Sequence, residues 1–405
     1  MESRATKLVL SADFALKETS DLLNASLLET YPELRGQYAL VDNFQDTTYL
    51  INGSIYNFLL LFAEPASLHE IYNKLGVDKT TRAQVTRFVK DLRQREILVT
   101  ARRNAVLKEI VAEEQELPQP KIDPACVVKV LKHTRQVWIG LVRDATRSEL
   151  YVLKKCLFPP GLPDEAREGD IRDFCHEVAM HKAATPHPKI VDLYDADMET
   201  YEMRLQYVEG MSVRKFVKNN NPPLTDRYRL IGSILDIFNH LHSKGILHGD
   251  IHSSNFLVNA QKEPMLFDFG MALDASQKKN KGGKMGGVYP YAPPERVSTK
   301  PMKIFNRNPT SQVAEVYQLG IIFYLILYHE LPFEGTTWKN LSGSILGLAP
   351  VWKPKTPAGE DIPATVINVL QKSLEKDPSD RYASVQEFAS VWERVIKSLR
   401  TQECN

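Results

Sequence analysis

The stretch His248-Gly249-Asp250-Ile251-His252-Ser253-Ser254-Asn255-Phe256-Leu257, followed by Asp268-Phe269-Gly270, decides how this chain is read. It sets one carboxylate, a carboxamide five residues later and a second carboxylate in a Phe-Gly turn, with hydrophobic runs on either side. These are the groups that phosphoryl transfer requires. Asp250 can orient a hydroxyl and accept its proton, while Asn255 and Asp268 can hold magnesium ions that bridge nucleotide phosphates. A single Asp-Phe-Gly is common by chance. The ordered pair of motifs is not.

Working outward, Tyr151-Val152-Leu153-Lys154 has the pattern of a strand ending in a lysine. Ile171-Arg-Asp-Phe-Cys-His-Glu-Val has an amphipathic helical pattern that contains Glu177. Together with the two motifs, these segments resemble the protein-kinase superfamily. The resemblance implies that Lys154 pairs the α- and β-phosphates of ATP and Glu177 holds that lysine. Lys155 competes for the role, but Lys154 leaves Val152 where the family carries a small side chain facing adenine. Leu205-Gln-Tyr-Val208-Glu-Gly210 is similar to the hinge between the lobes, with Leu205 as gatekeeper and Val208 offering backbone groups to adenine. Leu257 would close the adenine pocket from below. Further on, Tyr291-Ala-Pro-Pro-Glu295, Glu315-Val-Tyr-Gln-Leu-Gly320 and Leu374-Glu-Lys-Asp-Pro-Ser-Asp-Arg381 resemble the end of the activation segment, the buried helix of the C-lobe and the arginine that pairs with the Pro-Glu. The similarity covers about residues 125–398.

Three departures qualify what carries over. Leu131-Lys-His-Thr-Arg-Gln-Val137 stands where the family has its glycine-rich phosphate loop, yet it has no glycine. Glycines there let backbone amides approach phosphates closely. Lys132, His133 and Arg135 offer cationic side chains instead; a solvated turn is the competing reading. Gly249 replaces the arginine that usually docks a phosphorylated activation loop, so activity is expected not to depend on phosphorylation between Met271 and Pro290. His252 takes the place of a lysine that contacts the γ-phosphate in Ser/Thr kinases. His-Gly-Asp-x-His-x-x-Asn also resembles aminoglycoside and choline phosphotransferases, which keeps a small-molecule substrate open. Against an inactive pseudokinase, Lys154, Glu177, Asp250, Asn255 and Asp268 are all retained, although an unpaired carboxylate in a partly desolvated pocket is costly.

The chain has 405 residues, 43% of them hydrophobic, and a net charge of +1, which gives no general case for nucleic acid or membrane. Cys126, Cys156, Cys175 and Cys404 show no paired spacing, so neither a disulfide framework nor a zinc site is indicated. No apolar run approaches the ~20 residues of a membrane span, and the first residues lack a signal-peptide layout. A cytoplasmic location is expected.

A break at Glu113-Glu-Gln-Glu-Leu-Pro-Gln-Pro-Lys-Ile-Asp-Pro124, with three prolines among acidic residues, reads as a linker. Residues 1–112 then form a separate unit. Tyr38-Ala-Leu-Val-Asp42 and Thr48-Tyr-Leu-Ile51 read as strands, and helices are expected over 55–62, 68–75 and 81–93. Val85, Phe88, Val89 and Leu92 lie on one face of the third helix, and Ile97-Leu-Val is a closing strand. This is the outline of a winged helix-turn-helix. Arg82, Arg87, Lys90, Arg93 and Arg95 could serve a DNA groove, but they spread around the helix as on a solvated face. The order of segments is also similar to PqqD-like domains, which bind a leader peptide as an added strand on a sheet edge.

The expected fold class is α+β: a bilobal kinase fold, with the N-lobe over 125–208 and the C-lobe over 209–400, preceded by a small winged-helix domain. The expected activity is ATP- and magnesium-dependent phosphorylation of a Ser or Thr hydroxyl on a peptide or protein recruited by the N-terminal unit, a ribosomal-peptide precursor being one candidate. Two alternatives stand beside it: a small-molecule phosphotransferase, and a kinase-shaped regulator whose winged helix binds DNA or protein. Nucleic acid and membrane are disfavoured as partners, and the oligomeric state is left open.

Overall fold

A computed structural model describes residues 7–10, 14–18, 38–42, 47–51, 53–76, 78–94, 98–100, 120–134, 136–146, 149–158, 162, 164–275, 289–297, 310–334 and 338–403. The proline-rich stretch expected as a linker lies outside these residues up to Gln119, as does most of the segment from Met271 to Pro290.

The N-terminal unit begins with β1 (Lys7–Leu10) and β2 (Phe14–Glu18), two strands the sequence pattern did not announce. β3 (Tyr38–Asp42) and β4 (Thr47–Ile51) follow, and the antiparallel order β2-β3-β4 leaves β2 and β4 at the edges. α1 (Gly53–Leu60) starts two residues earlier than the pattern suggested. After β5 (Ala66–Ser67) comes α2 (Leu68–Leu75). Ser67 and Glu70 close a reciprocal capping box at its start, and Gly76, at φ 61°, ends it in a left-handed turn. α3 (Lys79–Gln94) then leads to β6 (Leu98–Thr100), and β1 lies between β5 and β6 in a second small sheet. Leu59, Phe62, Ile71, Val89 and Leu92 form the buried centre, so the apolar stripe of the third helix faces inward.

The larger unit opens with a five-stranded antiparallel sheet in the order β10-β11-β9-β8-β7: β7 (Val127–His133), β8 (Val137–Arg143), β9 (Leu150–Cys156), β10 (Leu193–Asp197) and β11 (Glu202–Gln206). The long helix α4 (Asp164–Ala184) buries Phe174 and Val178 together with Met203 of the sheet. A short strand β12 (Gly210–Ser212) and helix α5 (Val213–Asn220) lead into the helical lobe.

That lobe is built around α6 (Leu224–Ser243) and α7 (Gln312–Tyr328). α7 is capped by Ser311, whose hydroxyl accepts the Ala314 amide, and everything from Ala314 to Tyr328 is buried. A helix this largely apolar on every face has to sit in the middle of a lobe. Its last carbonyls are satisfied from outside: the fully buried Arg227 of α6 donates to the carbonyls of Ile326 and Leu327. Gly320 lets α9 (Ala364–Ser373) approach, since a Cβ there would lie 2.3 Å from the Ser373 hydroxyl. α8 (Trp338–Gly347) and α10 (Val385–Glu403) complete the lobe, with Phe388 and Trp392 of α10 in the core. Arg381, buried, holds the Glu295 carboxylate through both terminal nitrogens at 3.0 and 2.8 Å. That two-pronged pair ties the end of the activation segment to the base of the lobe.

Candidate active site

Between the sheet and the helical lobe run β13 (Ile246–Leu247), the loop 248–255, β14 (Phe256–Asn259), β15 (Pro264–Leu266) and β16 (Leu273–Asp274). β14 pairs with both β12 and β15, and β13 with β16, so the loop and the Asp-Phe-Gly turn are pinned at both ends.

Lys154, on β9, points its ammonium at the Glu177 carboxylate of α4, 2.5 Å away, and lies 3.9 Å from Asp268. Burial alone would lower the lysine's pKa, but Glu177 and Asp268 outweigh it and hold the ammonium above the ordinary lysine value. In return Lys154 keeps the Asp268 carboxyl below the usual carboxylate range, helped by the Gly270 amide. Asp268 adopts φ 69°, a left-handed conformation that an aspartate tolerates at a modest cost and that recurs at functional sites. Lys155, the competing lysine, faces away and pairs with Glu202.

The catalytic loop is held from beneath. Glu315 of α7, fully buried, accepts the Gly249 amide at 2.8 Å and meets Nε2 of His242 at 2.7 Å. Gly249 sits at φ 78°, and a Cβ there would lie 2.4 Å from the Met271 carbonyl. The glycine therefore has a steric reason as well as marking a missing arginine. Asn255 donates its amide to the Asp250 carbonyl at 2.9 Å, closing the loop on itself. One Asp250 carboxylate oxygen lies 3.4 Å from His252 Nε2. The other is buried and has no hydrogen-bond partner among the described residues.

Phe269, fully buried, touches the rings of His181 and His248, with centroids 4.9 and 5.3 Å away. Burial lowers the pKa of both imidazoles. These tilted ring contacts link α4, the Phe-Gly turn and the catalytic loop. Val152 and Leu205 are direct cross-strand partners, so their side chains share a sheet face with Lys154 and Met203. Val208 follows β11 and Leu257 lies on β14; both are half-buried.

Sequence reading missed three of these contributors. Glu315 opens the helix read from the sequence, and its signal is a carboxylate at the head of a largely apolar run. His181 lies four residues after Glu177, hence on the same helix face. The sequence places His252 where the family has a phosphate-contacting lysine, whereas its ring lies against Asp250.

The donor set fits a nucleotide-borne magnesium. No group of three carboxylate, imidazole or thiolate side chains among the described residues could hold an ion unaided. Asp268 and the Asn255 carboxamide are the side chains that could offer it oxygen ligands, and magnesium commonly completes its shell with substrate phosphates and water.

A cleft with these groups at the meeting of two lobes is where protein kinases carry out their chemistry. Comparison with known proteins gives the same class: residues 138–392 match the protein kinase domain family, and the chain belongs to it. It is 26% identical over 242 residues to serine/threonine-protein kinase PrkC of Bacillus subtilis, covering 58% of this chain and 35% of that protein. It is 26% identical over 227 residues to serine/threonine-protein kinase PknB of Mycobacterium tuberculosis, covering 54% and 35%. With serine/threonine-protein kinase PknD of Chlamydia abortus the identity is 26% over 245 residues, 52% of this chain and 25% of that protein. The matched region thus spans about a third or less of the length of these relatives. No helix among the described residues is long and apolar enough to cross a membrane.

Proposed function

We propose that this chain transfers the γ-phosphoryl group of ATP to a serine or threonine hydroxyl of a peptide or protein recruited by residues 1–112. The observation that carries the reading is the Asp250 carboxylate: one oxygen lies beside His252, and the other has no hydrogen-bond partner among the described residues. A buried acceptor left open is costly unless a ligand completes it, and a substrate hydroxyl is such a ligand. Asp250 orients that hydroxyl and accepts its proton. Lys154, held by Glu177, neutralises phosphate charge, while Asp268 and Asn255 hold magnesium. When bound there, the ion would supply positive charge to offset that of the phosphates. Val152, Leu205, Val208 and Leu257 enclose the adenine. Cys126, Cys156 and Cys175 form no disulfide among the described residues, which suits a reducing, cytoplasmic setting.

The recruitment half of the reading rests on the N-terminal unit. Its three-stranded antiparallel sheet followed by three helices has the order of a winged-helix, PqqD-like module, and among the described residues β2 and β4 are the edge strands of that sheet. A peptide added along such an edge gains main-chain hydrogen bonds. Tethering then raises its concentration at the cleft, which can be worth ~10²–10⁴-fold. A precursor peptide of ribosomal origin is the substrate class such a module would bring.

The Gly249-Asp250-x-His252 loop favours a small-molecule phosphotransferase as the second reading. The buried Arg381–Glu295 pair, which closes a full activation segment, favours a peptide or protein substrate instead. Deleting residues 1–112 tests the proposal. The shortened chain should bind Mg-ATP as the full chain does but phosphorylate its peptide with a KM raised at least about 10²-fold. An unchanged KM would remove the recruitment role. If the deleted unit instead retarded duplex DNA with a steep salt dependence, the regulator reading would replace it.

A further inference from the structure

The strand register puts a second lysine over the phosphate site. Lys132 of β7 pairs directly with Ile139 of β8, and Ile139 pairs with Lys154 of β9. Direct partners in an antiparallel sheet project to the same face, so Lys132 and Lys154 share the face that carries the Lys154–Glu177 pair. Both side chains line one cavity of about 220 Å³, bounded by Glu177, Asp173 and Gly270. Lys154 is committed to Glu177, whereas Lys132 is exposed and its ammonium makes no ion pair or hydrogen bond among the described residues.

The hairpin beside it keeps two of its backbone amides for itself. The Thr134 amide donates to the Val137 carbonyl at 2.9 Å, and the Val137 amide donates to the Thr134 hydroxyl at 3.1 Å. These two amides are consumed inside the turn, whereas a glycine-rich loop turns its amides toward the ligand. Building on the kinase reading, we infer that Lys132 grips the polyphosphate tail of the nucleotide, replacing amide contacts with one mobile cation. An ammonium binds phosphate as a point charge and needs no close backbone approach. A loop without glycine therefore remains compatible with ATP. The competing role is a latch in which Lys132 pairs with Asp173 across the cavity and holds α4 in place.

Titration calorimetry on the full chain separates these roles, using Mg-ATP and adenosine as probes of the wild type, Lys132→Ala, Lys132→Arg and Asp173→Asn. Loss of one charge-assisted contact should weaken Mg-ATP binding by about 10- to 100-fold in Lys132→Ala. Adenosine binding should be unchanged, and Lys132→Arg should recover most of the Mg-ATP affinity. Equal Mg-ATP affinity in wild type and Lys132→Ala overturns the inference while leaving the kinase reading intact. A parallel loss for adenosine and Mg-ATP, reproduced by Asp173→Asn, overturns it in favour of the latch. A wild type that binds no Mg-ATP removes the kinase reading, and this inference with it.

Discussion

Glu315→Ala should be among the most damaging single substitutions outside the nucleotide site. The carboxylate is fully buried, and its two oxygens serve the Gly249 amide at 2.8 Å and His242 Nε2 at 2.7 Å. Alanine deletes both acceptors and leaves the two donors facing a hole in the lobe core. Each hydrogen bond to a charged acceptor contributes about 1.5–3 kcal/mol, and both are lost together. Against a total stability of about 5–15 kcal/mol that is a large fraction. Glu315→Gln keeps the volume and the oxygen that accepts from Gly249. Its amide nitrogen, however, would oppose His242, whose Nδ1 is already buried without a partner among the described residues. The expected loss is smaller, about 1–2 kcal/mol. Urea unfolding followed by the fluorescence of tryptophans such as the buried Trp392 gives both numbers. The Gly249 amide also anchors the backbone just before Asp250, so kcat should fall in Glu315→Ala even where the protein remains folded, with Mg-ATP affinity changed far less. An alanine variant with the wild-type midpoint and kcat would refute this account of how the catalytic loop is held.

Asp268→Ala should abolish the magnesium dependence of nucleotide binding, which calorimetry with and without the ion would reveal; equal ATP affinity in the wild type with and without magnesium would instead describe a pseudokinase. Arg381→Lys cannot reproduce the two-pronged contact with Glu295 and should lower stability by about 1–3 kcal/mol in urea unfolding, whereas an unaltered midpoint would make the pair ornamental. The protein should also lose stability in mild acid. His181 and His248 have folded pKa values lowered by burial, so below the ordinary histidine value of about 6.5 the unfolded chain binds more protons than the folded one. Stability from these groups is complete above about pH 6.5 and falls below it, ahead of the window in which Asp268 would titrate. A urea midpoint identical at about pH 7.5 and pH 5.5 would contradict that sign.

Local chemistry made much of this molecule legible in its sequence. Ser67, Glu70 and Gly76 announce a helix start and stop because capping is settled within a few residues. The Asp250–Asn255 spacing is likewise read within one loop. The Arg381–Glu295 contact spans 86 residues and was reachable only through the resemblance. What remained hidden depends on partners distant in the chain. Gly249 reads as a lost arginine until the Met271 carbonyl is seen against it. The face taken by Lys132 depends on register shifts between Val127 and Lys129 and between Val130 and Lys132. Strand periodicity of two cannot carry a residue's facing across such irregularities. β1 and β2 were missed because short strands without flanking turn signals carry little pattern of their own.

The most direct test of the central claim is phosphoryl transfer itself. The full chain is incubated with Mg-ATP and a candidate peptide or protein substrate, and mass spectrometry locates any phosphate gained. The account predicts phosphoserine or phosphothreonine with the wild type. With Asp250→Asn, which keeps nucleotide binding but loses orientation and proton acceptance, the rate should fall by about 10²–10⁴-fold. Full turnover by Asp250→Asn would contradict the role given to this loop.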